Sequence, residues 1–278
     1  MPPFGQAVAT AACLTEEQVA AARKLYGGPV SADGEALYPG HQAIGSELGW
    51  SGWMTGMAYG IGRDYLRYLA FAQSDPTYDL HDWTFDVASF DSLRPLGEVY
   101  NATNSDLSAF ASRGGKLILY HGWADPAISP FGTLAYYQAV VDTVGDLGET
   151  QEFARLFMVP GMFHCSGGNA PNTFDLLGPI QDWVENGVAP EQIIATEYAG
   201  SGQSGGFANP TAGGANQGDV VRTRPLCPFP LEQTYAGSGN VDDAASFTCA
   251  LSDDETLTSG AYEWVGSDLF VPPSGSSD

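Results

Sequence analysis

The sequence predicts an α/β fold, with parallel strands alternating with helices after a long irregular region rich in aromatic residues. Two continuous apolar runs, KLILY (116–120) and ARLFMV (154–159), read as buried strands. Each leads into a polar loop and then a helical segment, the grammar of a parallel sheet whose site lies at the strands' C-terminal ends. Thirty-five glycines and 18 prolines against 15% charged residues speak for long loops and against a helical bundle or coiled coil.

In chain order, TEEQVAAARKLY (15–26) is the clearest helix. Thr15 and Gln18 form a capping box, Glu16 and Glu17 suit the N-terminal dipole, and Gly27-Gly28-Pro29 stops it. Residues 29–60, which hold GSELGWSGWMTG, read as an irregular aromatic segment, 62–73 as a helix, and 74–102 as loop. DLSAFASRGG reads as a short helix that ends at glycine. After the first strand come the loop HGWADPAISP (121–130) and an amphipathic helix at 131–145. After the second come the loop 160–170, a helix at 174–187 and a strand at 193–198. The two polar loops are expected side by side. Residues 199–219 form a glycine-rich loop, and from 252 onward the chain reads as frayed.

Thirty-three acidic residues against 10 basic ones give a formal charge of -23, which repels nucleic acid and anionic membrane surfaces, so neither is expected as a partner. No apolar stretch reaches the roughly 18 residues of a membrane span. The start, MPPFGQAVATAACLTEEQ, lacks the basic and long apolar regions of an export signal. Cys13, Cys165, Cys227 and Cys249 lack the paired spacings of a zinc site, and His41, His81, His121 and His164 are scattered, so no metal centre is expected. The cysteines read as disulfide formers in an oxidising compartment. Cys227 and Cys249 are the expected pair, closing a loop that the chain-entropy model values at about 3 kcal/mol.

Asp125 and His164 each stand five residues past a strand. An acid followed by a histidine at two strand ends fits the chain order serine, acid, histidine of a nucleophilic triad. In such a site Asp125 would hold the imidazole's tautomer, and His164 would move the serine's proton. Spacing alone equally allows Asp125 to start the DPAISP turn and His164 to cap a loop. His121 reads as a loop-packing histidine near the site.

Several spaced blocks carry a resemblance. GGKLILYHGWADPAISP (114–130), the pair Tyr136-Tyr137, PGMFHCSGG (160–168), RPLCPFP (224–230) and DDAASFTC (242–249) occur in one order. With CLTEEQVAAARKLYGGP (13–29) and YPGHQAIGSELGW (38–50), they resemble the tannase and feruloyl esterase family of α/β-hydrolases, which includes mono-hydroxyethyl terephthalate hydrolases. The resemblance implies the C-terminal part of an α/β-hydrolase sheet plus most of an irregular lid domain. The implied division is a lid at 1–102, the catalytic part at 103–251 and a tail at 252–278.

It also implies a serine esterase of aromatic esters, feruloyl, galloyl or terephthalate-like. Asp125 is then the triad acid, His164 the base, and Cys165 half of a disulfide to a cysteine beside the nucleophile. The family's Gly-Cys-Ser-x-Gly-Gly elbow, Cys165's partner and the lid's calcium loop are not found here, so no cofactor is expected. Cys13 is read as lacking a partner, and Met1 as an internal or artificial start. GQSGG (202–206) offers Ser204, but it follows the histidine and lacks a preceding strand, so it is a poor nucleophile candidate. Ser166 reads as a loop former. Ile128, Trp50 and Trp53 are the candidate substrate-lining residues. The complete protein is expected to be secreted or periplasmic. The alternative is a non-catalytic binding relative or an inactive gene fragment.

Overall fold

The computed structural model describes residues 13–164, 166–200, 218–251 and 264–272. Helix α1 (Glu16–Gly27) carries both halves of its expected capping box: Gln18 N–H donates to Thr15 Oγ1 at 3.3 Å, and Thr15 N–H to Gln18 Oε1 at 2.9 Å. Gly28 follows at φ 73°, where a Cβ would collide with the Gly40 carbonyl, so glycine is required there for both backbone and space.

Helix runs where an irregular segment was expected, through α2 (Glu47–Gly52) and a π-helical stretch (Trp53–Met57), and joins α3 (Ala58–Tyr68), which starts before the helix expected at 62–73 and stops short of its end. Glycines at 49, 52, 56, 60 and 62 lower the helix propensity of this region. Packing overrides them: Trp53 and Leu66 are buried. A further helix, α4 (Val87–Tyr100), replaces the expected loop at 74–102. Its interior Pro95 and Gly97 hid it, while its start is well capped, with Asp86 Oδ1 accepting from Ser89 N–H at 2.7 Å.

Helix α5 (Ser108–Ala111) precedes β1 (Leu117–Gly122). Helix α6 (Pro130–Val144) opens on proline and ends at left-handed Gly145, followed by the short α7 (Leu147–Gln151) and β2 (Ala154–Val159). The chain continues through α8 (Leu177–Asn186), β3 (Ile193–Tyr198), β4 (Val220–Leu226), β5 (Leu231–Tyr235) and β6 (Phe247–Leu251).

β1 and β2 are parallel, in register from Leu117↔Ala154 to Gly122↔Val159. Alternation along them divides the core. Ala154, Leu156 and Met158 pack with Leu134, Tyr137 and Val140 of α6, while Phe157 and Val159 face Phe174, Ile193, Ala195 and Leu226. β2 is almost fully buried, as expected, but β1 is mostly half-buried. Among the described residues β1 has one strand neighbour, which leaves its second edge without a strand and accounts for that exposure. β3 pairs with β4 and β5 with β6, both antiparallel.

The expected Cys227–Cys249 disulfide is present. The frayed reading from 252 onward needs correction for 264–272. Val265 N–H donates to the Ala36 carbonyl at 2.9 Å, Trp264 stacks near Phe90 and Tyr38, and Arg94 donates to both carboxylate oxygens of Asp268. Aromatic burial and one multiply bonded arginine hold this segment to the first hundred residues. Among the described residues no helix is long and apolar enough to cross a membrane.

Candidate active site

The parallel register of β1 and β2 brings the loops that leave them together, as their positions in the sequence suggested. Trp123 N–H donates to Val159 O at 2.9 Å, and Ala124 N–H to Met162 O at 3.1 Å. Gly122 makes this approach possible, since a Cβ there would run into the Met162 carbonyl. The second loop folds back on itself, with Phe163 N–H on Gly167 O at 3.3 Å and Asn169 N–H on Gly161 O at 3.1 Å. His164 sits at its tip.

Asp125 is 3% exposed and its carboxylate meets four donors. Oδ1 accepts from the backbone N–H groups of Ala127 (2.8 Å) and Ile128 (2.9 Å), which close the turn it starts. Oδ2 accepts from His164 Nδ1 at 2.8 Å and lies 3.2 Å from His121 Nε2. Burial pushes this carboxyl's pKa up. The hydrogen bonds from His121, Ile128 N–H, His164 and Ala127 N–H outweigh it, holding the group below its ordinary value and ionised at neutral pH. An ionised carboxylate only accepts, so His164 carries its proton on Nδ1 and leaves Nε2 as the basic nitrogen. Asp125 is thus both turn former and histidine partner, the two roles that spacing could not separate.

Trp53, 8% exposed, meets the His164 ring edge-on, with centroids 5.0 Å apart and planes at 78°. Trp50 turns elsewhere: it packs on Tyr26 at 5.2 Å and donates from Nε1 to Ser46 Oγ at 2.9 Å. Ile128 is half exposed and lines a cavity of about 940 Å³ with Arg23, Lys24, Tyr38, His41 and Phe85. Neither tryptophan lines that cavity. Ser166 is buried two residues past His164, and Ser129 donates to the His41 carbonyl at 2.7 Å. Cys165 and Ser204 lie outside the described residues.

His121 is the residue that the sequence undersold. It is more than loop packing, because it shares Asp125 with His164. The signal was its position four residues before Asp125 across a strand end, which is visible in the sequence but ambiguous without the partner's orientation.

The family model described as tannase and feruloyl esterase matches residues 5–250. The chain belongs to the tannase and feruloyl esterase family. An uncharacterized esterase of Xanthomonas campestris pv. campestris is 34% identical over 283 residues, covering 87% of this chain and 47% of that protein. Mono(2-hydroxyethyl) terephthalate hydrolase of Piscinibacter sakaiensis is 34% identical over 294 residues, covering 90% and 45%. The crystal structure of feruloyl esterase B from Aspergillus oryzae superposes with a TM-score of 0.71 at 27% identity, covering 86% of this chain and 46% of that one. The tannase and feruloyl esterase match therefore holds for nearly all of this chain, which spans about half the length of the curated relatives it matches.

Proposed function

We propose that this chain carries the acid and base of a serine carboxylic ester hydrolase acting on small aromatic esters of the feruloyl, galloyl or terephthalate kind. The observation behind the reading is the 2.8 Å contact between His164 Nδ1 and Asp125 Oδ2, held where two parallel strands end. In the proposed cycle His164 Nε2 takes the proton of an attacking serine as its oxygen bonds to the ester carbonyl. Asp125 stabilises the imidazolium, which then protonates the departing alkoxide. Water attacks the acyl-enzyme by the same route and releases the acid.

The nucleophile in this reading comes from outside the described residues. Ser129 is committed to the His41 carbonyl, and Ser166 shares His164's own loop. Aromatic substrates are favoured by the named activities of the relatives and by aromatic side chains at the site, Trp53 on His164 and Phe85 in the cavity that Ile128 lines. The disulfide suits a secreted or periplasmic setting.

The test is hydrolysis of ethyl ferulate and methyl gallate by the purified chain and by His164→Ala, with fluorophosphonate labelling and peptide mass spectrometry to find the reactive serine. Turnover and labelling that both vanish in His164→Ala support the reading, and a label on Ser204 would assign the nucleophile to GQSGG. Turnover or labelling that survives His164→Ala overturns it, while an inert, unlabelled wild-type chain is the outcome expected if the serine lies outside this polypeptide.

A further inference from the structure

We propose that His121 is a positioning residue for the Asp125–His164 pair, holding the same carboxylate oxygen that the base uses and sharing its charge between two imidazoles. The inference rests on the reading of His164 as the base. Both nitrogens of the His121 ring are engaged: Nδ1 is 2.7 Å from Thr133 Oγ1 of α6, and Nε2 is 3.0 Å from the Ile128 carbonyl and 3.2 Å from Asp125 Oδ2. The carbonyl and the carboxylate are both pure acceptors, so Nε2 bears the proton and Nδ1 accepts from the Thr133 hydroxyl. One ring thereby ties α6, the 125–128 turn and the carboxylate together.

The consequence for Asp125 is contacts on both oxygens, two backbone N–H groups on Oδ1, and on Oδ2 the His164 N–H at 2.8 Å with the His121 N–H, shared with the Ile128 carbonyl, at 3.2 Å. The His121 and Asp125 side chains are only 11% and 4% exposed, so water competes weakly and each donor counts for more than at a surface. A carboxylate held this way cannot rotate to meet His164 at a different angle, and it is a poor proton acceptor, so the proton between them stays on His164 Nδ1. Among the described residues Tyr38 also feels the Asp125 charge, its phenol pKa raised by burial and by that charge, while α6 presents the neutral Thr133. His121 supplies the first of the hydrogen bonds that hold the Asp125 carboxyl below its ordinary value.

The experiment compares the whole chain with His121→Gln, His121→Asn and His121→Phe. Glutamine can place an amide N–H near the Nε2 position, asparagine only near Nδ1, and phenylalanine keeps the ring shape without a donor. Carboxyl ¹³C NMR follows the titration of Asp125, and the downfield proton spectrum follows the His164 Nδ1–H. The expected result is a higher Asp125 titration and a broadened His164 resonance in His121→Phe and His121→Asn, with both restored toward wild type in His121→Gln. Where esters are turned over, kcat in His121→Phe falls about tenfold, the loss of one hydrogen bond, with KM unchanged. An Asp125 titration and a His164 resonance that stay at wild-type values in Phe and Asn overturn the proposal and leave His121 as packing. If the Phe variant does not fold, the Gln and Asn pair alone decides. Because the NMR readouts need no turnover, turnover that survives His164→Ala would overturn the hydrolase reading while the carboxyl titration still decides the role of His121.

Discussion

Gly49 of α2 lies against the ring of Pro126, so closely that a Cβ at 49 would stand 2.6 Å from Pro126 Cγ. Pro126 follows Asp125 directly, and the contact therefore braces the turn that presents the carboxylate to His164. A helix from the first hundred residues thus sets one wall of the candidate site, and the glycine that weakens that helix is what lets it come so near.

Substituting Gly49→Ala tests this brace. Helix propensity gains up to about 1 kcal/mol from the change, but overpacking against a proline ring costs about 1–3 kcal/mol, so net destabilisation is expected. Urea unfolding measures it. Gly52→Ala, where a Cβ would meet nothing within 4 Å, is the control and is expected to be neutral or stabilising.

Asp125 predicts the pH dependence of stability. Its pKa is lowered in the folded protein, so its contribution is fully present above the unfolded value and is lost as pH falls through the folded one. Urea midpoints of the wild type should drop below about pH 4, an ordinary aspartate pKa. In Asp125→Asn that part of the acid limb should flatten. Ester turnover, where present, should fall about 10⁴-fold in the same variant, because an amide no longer selects the Nδ1–H tautomer.

Removing the disulfide by Cys227→Ser with Cys249→Ser is expected to cost about 3 kcal/mol, read as a lower thermal midpoint. Reductant should lower the wild-type midpoint and lower that of the double variant less.

Arg94 predicts a local effect. It donates to Asp91, to both oxygens of Asp268 and to the Val265 carbonyl, and it lies over the Phe90 ring at 5.1 Å. Arg94→Ala should release 264–272 and speed limited proteolysis after Trp264 or Phe270, with cleavage elsewhere unchanged.

Much of the region that holds Asp125 and His164 was legible because its signals are local and strong. KLILY and ARLFMV are too apolar and too short for anything but core strands, and Asp125 and His164 stand at fixed distances beyond them. The first hundred residues were harder to read, since glycines at 49, 52 and 56 argue against helices that the burial of Trp53 and Leu66 supports, and Pro95 argues against one that its Asp86 cap supports. Strands β4 to β6 went unread for a related reason, as short two-stranded pairings carry little periodicity. His121 was visible as a residue but not as a partner, because which way a ring turns at a strand end depends on Thr133, twelve residues later.

The clasp made by 264–272 bears on how the molecule is born. Arg94 and Asp268 are 174 residues apart, and the cluster of Tyr38, Phe90, Trp264 and Phe270 spans a still longer separation. During synthesis Tyr38 and Phe90 must wait for Trp264 and Phe270 to leave the ribosome before the cluster can close, and contacts of such separation form slowly. Until then its apolar side chains stand open to other nascent chains, so yield in a fast-translating host should respond to chaperone supply and growth temperature more than the finished fold's stability would suggest.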